Sequence, residues 1–231
     1  MNGEHRFSTV PELVDSLCER VATRLCTAIA ARGTATMIVS GGKSPQSLFE
    51  RLAQVSLDWG KVWIGLADER WVEFDEAASN ARFVREHLLV SNAAGARFVG
   101  MKNPSATPAL GAGIAWNAYS QLPRPFDVVL LGMGDDGHTA SLFPDNPGLA
   151  AALDPQSPPA CVAMQAPVAP QARLSLNLSA LLDACEIILS GTGESKWRVY
   201  SAARKPGSDL EYPVRAVLRQ GKVPVDFLWA P

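Results

Sequence analysis

Phe126–Pro144 reads FDVVLLGMGDDGHTASLFP, and the order of residue types within it decides how the rest of the chain is read. Phe126–Leu131 is apolar and rich in β-branched residues, bounded by Pro125 and Gly132, which predicts a strand buried on both faces of a parallel sheet. The chemistry changes abruptly after Leu131. Gly132, Gly134 and Gly137 allow the backbone to approach a ligand closely, and Asp135, Asp136 and His138 are presented just past the carboxyl end of the strand. In open α/β sheets that edge is where ligands bind. His138 follows a carboxylate by two residues, so Asp136 can orient its ring, and an imidazole is the side chain suited to moving a proton near neutrality.

Moving outward, three further apolar runs, 35–39, 62–66 and 185–189, also empty into glycine or charge clusters. Ser40-Gly41-Gly42-Lys43-Ser44 follows the first, with Ser44 as the expected cap and Pro45 as the first residue of a helix. Free amides and a helix start would make this loop an anion cradle, although taken alone it reads equally well as a plain strand-to-helix turn. Asp68-Glu69-Arg70 follows the second, where Arg70 offers a rigid fork of donors to a phosphate or an oxyanion; a surface ion-pair cluster is the competing reading. Ser190–Gly193 follows the last and leads into a helix with Lys196 in its first turn, either a phosphate counter-charge or a solvated lysine.

The remaining segments fill in the layers. Thr9 and Glu12 have capping-box spacing, and apolar residues recur at helical intervals from Val10 until Gly33. Ser79-Asn80 starts a further helix, and Leu110–Leu122 is expected as another, with Ile114 and Tyr119 packing inward. Cys161–Gln165 reads as a strand, Arg173–Leu178 as a half-exposed strand before a helix begun by Ser179, and Val225–Trp229 as an edge strand. This alternation predicts an α/β fold: an open, mostly parallel twisted sheet with helices on both faces, Rossmann-like, in a single domain over residues 1–231. In a parallel sheet the loop clusters converge on one rim. There they would form a pocket for a small phosphorylated metabolite.

Composition narrows the function by exclusion. The 231 residues carry a formal charge of −2 and no dense Lys/Arg run, which leaves no field for a nucleic-acid backbone. Cysteines at 18, 26, 161 and 185 and histidines at 5, 87 and 138 make no zinc spacing, so the cysteines read as free thiols in a reducing compartment. The N-terminus lacks the layout of a signal peptide and no apolar run approaches about 18 residues, so no membrane partner is expected and the location reads as cytoplasmic. Neither a nicotinamide fingerprint nor a G-x-S-x-G elbow is present.

The stretch GMGDDGHTASLFP, residues 132–144, resembles the signature of the 6-phosphogluconolactonases. Asp68-Glu69-Arg70-Trp71-Val72 resembles that family's second signature, the Ser79-Asn80 helix start is shared, and Arg173-Leu174-Ser175-Leu176 matches its R-[IVL]-[ST]-L segment, where the arginine faces the ligand. Its glycine loop is usually S-G-G-[ST]-T-P, from which Lys43-Ser44 departs. The resemblance implies hydrolysis of 6-phospho-D-glucono-1,5-lactone in the pentose phosphate pathway, with no metal and no organic cofactor. The substrate would be a small phosphorylated sugar lactone; separately, a monomer is expected, with a weak homo-oligomer as the alternative. His138, Asp136, Arg70 and Asp68 would carry catalysis, and Gly41, Gly42, Lys43, Ser44, Arg173 and Lys196 would hold the substrate and its phosphate. Related amino-sugar phosphate deaminases and isomerases typically carry an acidic residue five positions after the histidine, which here is Phe143, and an aromatic where Arg70 stands. A sugar-phosphate sensor without chemistry would need the binding residues but not His138.

Overall fold

A computed structural model describes residues 3–42 and 44–231. The strands are β1 (Gly3–Arg6), β2 (Ala35–Val39), β3 (Val62–Leu66), β4 (Asp68–Arg70), β5 (Arg97–Val99), β6 (Val128–Leu131), β7 (Cys161–Gln165), β8 (Ala172–Leu176), β9 (Ile187–Thr192) and β10 (Val225–Ala230). The helices are α1 (Val10–Arg32), α2 (Gln46–Leu52), α3 (Asn80–His87), α4 (Pro108–Tyr119), α5 (Leu149–Ala152), α6 (Leu178–Leu181), α7 (Glu194–Ala203) and α8 (Val214–Arg219). Seven strands form one sheet in the order β1-β10-β9-β6-β2-β3-β5, with every neighbouring pair parallel. β4, β8 and β7 form a small antiparallel sheet. The α/β architecture with a parallel sheet agrees with the alternation in the sequence.

The central strands are what their composition demands. All of Ala35–Val39 and Val128–Leu131 is buried, because helix and sheet layers cover both faces. Each Val, Ile or Leu so enclosed contributes about 1.5–3 kcal/mol of transfer free energy. α1 packs against β2, β6 and β10, burying Leu13, Leu17, Cys18, Val21, Leu25 and Ala28. Its caps match the sequence: Thr9 Oγ1 accepts from the Glu12 amide, and Gly33 closes the helix at φ 76°. Arg20 joins Glu186 and Asp226 and so fastens α1 to the amino ends of β9 and β10. Burial also pushes the Cys161 thiol up to about 12, which makes it a packing group and a poor nucleophile.

Several expectations are corrected. Val225–Ala230 is an interior strand, because Gly3–Arg6, a polar segment without a strand pattern, supplies the edge beyond it. Asp68–Arg70 is itself a strand, which carries the chain from the large sheet into the small one. Ser44 does not cap α2: the helix starts at Gln46 with Pro45 at the cap position and no side-chain capping bond. Arg173–Leu176 is buried, since β8 is the middle strand of its sheet, and Asn177, not Ser179, caps the helix that follows. Ile114 is 57% exposed, whereas Tyr119 is fully buried and its hydroxyl ties the Leu66 amide to the Val99 carbonyl. Among the described residues, no helix is long and apolar enough to cross a membrane.

Candidate active site

The carboxyl ends of β2, β6 and β9 and one edge of the small sheet enclose a cleft of about 690 Å³. His138 enters it from the loop after β6. The Gly134 amide donates to the His138 carbonyl at 2.8 Å, folding the loop back on itself. A Cβ at Gly134 would lie 2.1 Å from His138 Nδ1, so only glycine permits this packing. Asp136 Oδ1 lies 2.6 Å from His138 Nδ1 and also accepts the His138 amide at 3.1 Å. That contact selects the tautomer with the proton on Nδ1 and leaves the Nε2 lone pair free. Burial pushes the Asp136 carboxyl up, but the hydrogen bond and charge of His138 outweigh it and hold Asp136 below its ordinary value. Phe143 packs on the other side of the imidazole, with ring centroids 4.3 Å apart.

The same cleft is lined by a pair of arginines. The antiparallel register of β4 and β8 sets Arg70 directly across from Arg173. Like charges facing across strands repel. Arg70 Nη1 is held by the Ala78 carbonyl at 2.5 Å, whereas Arg173 Nε is buried without a partner. Burial, and next the charge of Arg70, lower the Arg173 guanidinium from its ordinary value. Two facing guanidiniums with an unsatisfied donor make a site that gains from an anion.

Side chains alternate along β4, so Asp68 and Arg70 line the cleft and Glu69 points away. Glu69 is fully buried and accepts the amides of Arg70, Asn80 and Ala81 at 2.6–2.8 Å, which anchors the start of α3. Burial pushes its carboxyl up, and these amides offset part of the rise. Glu69→Ala would strand the buried amides of Asn80 and Ala81, the buried Ser79 hydroxyl and the half-buried Arg70 amide. It is expected to lower the stability seen in urea unfolding by about 3 kcal/mol, and a loss below about 1 kcal/mol would mean that water replaces the carboxylate.

Asn80 donates to the Asp68 carbonyl at 2.9 Å, while its Oδ1 is buried without a partner beside Gly41, where a Cβ would come within 2.1 Å of it. Gly41 and Ser44 line the cleft with Ser40, whose hydroxyl is also unpartnered, and Gly42 turns the loop at φ 96°. Lys43 lies outside the described residues. Lys196, in the first turn of α7, lies across Gly191 and donates to Asp135 Oδ1 at 2.7 Å. The expected residues Gly41, Ser44, Asp68, Arg70, Asp136, His138, Arg173 and Lys196 therefore share one cleft.

Sequence reasoning missed Ser40, Asn80 and Ser141. Each lies inside a stretch it did recognise but was not assigned to the site, because their role comes from burial beside the cleft, which spacing does not encode.

The comparisons agree in kind. The family model described as glucosamine-6-phosphate isomerases/6-phosphogluconolactonase matches residues 8–228. A 6-phosphogluconolactonase of Pseudomonas aeruginosa is 44% identical over 99% of this chain and 95% of its own length, and one of Pseudomonas putida is 46% identical over 98% and 92%. The crystal structure of a 6-phosphogluconolactonase from Shewanella baltica superposes with a TM-score of 0.96 at 45% identity, covering 100% of this chain and 98% of that one. A monomeric glucosamine-6-phosphate deaminase, at 16% identity and a TM-score of 0.80, shares the fold. With matches of this extent and identity, the chain belongs to the glucosamine-6-phosphate isomerase/6-phosphogluconolactonase family.

Proposed function

We propose that the protein hydrolyses 6-phospho-D-glucono-1,5-lactone to 6-phospho-D-gluconate in the pentose phosphate pathway, with His138 as general base. The observation that carries this reading is the pairing, in one cleft, of an Asp136-held imidazole with the facing guanidiniums of Arg70 and Arg173. His138 Nε2 takes a proton from water as its oxygen attacks the lactone carbonyl. The same proton then goes to the ring oxygen when the C1–O5 bond breaks. An activated ester needs no covalent nucleophile, so a base and an oxyanion partner suffice. Arg70 supplies that partner, a role that can be worth about 3 kcal/mol. Arg173, Lys196 and the loop amides of Gly41, Gly42 and Ser44 anchor the phosphate, and Asp68 acts in catalysis by holding the reacting end of the lactone through a hydrogen bond that tightens in the transition state.

Deamination of an amino-sugar phosphate is disfavoured by Phe143, which packs its ring on His138 where related deaminases carry an acid. Incubated with 6-phosphogluconolactone, with the spontaneous reaction subtracted, the protein is expected to accelerate hydrolysis. With glucosamine 6-phosphate it is expected to release no ammonia at a comparable rate, and the opposite pattern of activities would overturn the assignment.

A further inference from the structure

Asp68 is a buried carboxylate in the cleft, and no salt bridge holds it among the described residues. What fixes it is a hydroxyl. Ser141 Oγ donates to Asp68 Oδ2 at 2.5 Å, while among the described residues Oδ1 has only the long contact from Asn80 Nδ2 at 3.5 Å. One carboxylate oxygen is therefore tied firmly, and the other is left weakly held.

Ser141 is itself completely buried and belongs to the segment that carries His138. Its amide donates to Ser175 Oγ on β8 at 3.2 Å, and the Ser175 hydroxyl donates onward to the Leu176 carbonyl. The residue before it, Ala140, sits at φ 48°, in the left-handed region that alanine avoids. Thr139 is fixed on the near side by its hydroxyl bond to the Gly132 carbonyl at 2.8 Å. The strained turn at Ala140 thus lies between two anchored residues. It aims Ser141 into the small sheet rather than along the loop.

We infer that Ser141 is a positioning residue that couples the two halves of the site: its hydroxyl orients the Asp68 carboxylate and locks the His138 loop onto the sheet that presents Arg70 and Arg173. This rests on the lactonase reading and adds to it a residue that touches no substrate. A hydroxyl has one proton to give, and the structure gives it to Asp68 Oδ2. Loss of that donor would free the carboxylate to rotate, and a misplacement of about 1 Å at a positioning group can cost about 100-fold in rate.

The test uses the purified protein with the phosphorylated lactone. Ser141→Ala is expected to lower kcat by about 10-fold or more with KM within about 2-fold, while Ser141→Thr, which keeps the hydroxyl but crowds a buried site, is expected to lose thermal stability yet keep most of the turnover. A residue needed only for folding would make turnover follow stability instead. Asp68→Asn combined with Ser141→Ala should lose no more than Asp68→Asn alone, because the serine acts through the carboxylate. Additive losses in that double variant, or wild-type kcat in Ser141→Ala, would overturn the inference. If Ser141→Thr fails to fold, the Asp68 cycle decides alone. A wild-type protein without lactone hydrolysis would instead sink the functional reading, so the two failures are told apart.

Discussion

His138→Asn is expected to lower kcat by about 10²–10⁴-fold, the range that general-base catalysis contributes, with KM close to the wild-type value. Asparagine can preserve the loop, since the His138 carbonyl and amide that bond Gly134 and Asp136 belong to the backbone. What it removes is the Nε2 lone pair. The Asp136 carboxyl is held below the ordinary range, so its contact with the ring persists as pH falls and is lost only when pH passes below that lowered value. A variant with wild-type turnover would show that the proton goes elsewhere.

Arg173→Met should separate binding from stability. Losing a desolvated cation that meets a phosphate costs about 2–4 kcal/mol, which raises KM for the phosphorylated lactone by about 30- to 1000-fold. Because anchoring a remote phosphate is largely shared by ground and transition states, kcat should change far less. Preference over plain gluconolactone should fall in step. The ligand-free protein, in contrast, should gain about 1 kcal/mol in urea unfolding, since the substitution removes cross-strand repulsion from Arg70 and a buried Nε without a partner. Loss of stability together with unchanged KM would place the phosphate away from this pair.

Where the sequence was legible, periodicity and local chemistry spoke for themselves. α1 could be read from cap to cap because Thr9, Glu12 and Gly33 are local signals. β2 and β6 could be read because complete burial leaves an uninterrupted apolar run. The pairing of His138 with Asp136 was accessible for the same reason, since two residues in one turn need no tertiary information. In the small sheet β7 and β8 were legible as strands, but β4 was not. Asp68–Arg70 is three charged residues, and it becomes a strand only because β8 supplies its hydrogen bonds from about a hundred residues away. The register that sets Arg70 against Arg173 follows from that pairing. The edge strand Gly3–Arg6 was hidden likewise, as its partner β10 alone makes it a strand.

The position of β10 sets a timetable for the molecule. This strand lies between β1 and β9, so the first and last strands of the described chain close the sheet together, with Gly3 beside Asp226. A growing chain can assemble β2, β3 and β6 early, but β9 keeps an unpaired edge until residues 225–230 have emerged, which is a hazard for aggregation. The same residues reach the cleft indirectly. The Gly193 amide donates to the Ala230 carbonyl at 2.9 Å, and Trp229 Nε1 donates to the Gly193 carbonyl at 2.9 Å, so β10 fastens the residue from which α7 and Lys196 depart. Chains interrupted before Val225 would thus lack both a finished sheet and a fixed Lys196, and synthesis delivers a binding-competent cleft only once β10 has emerged.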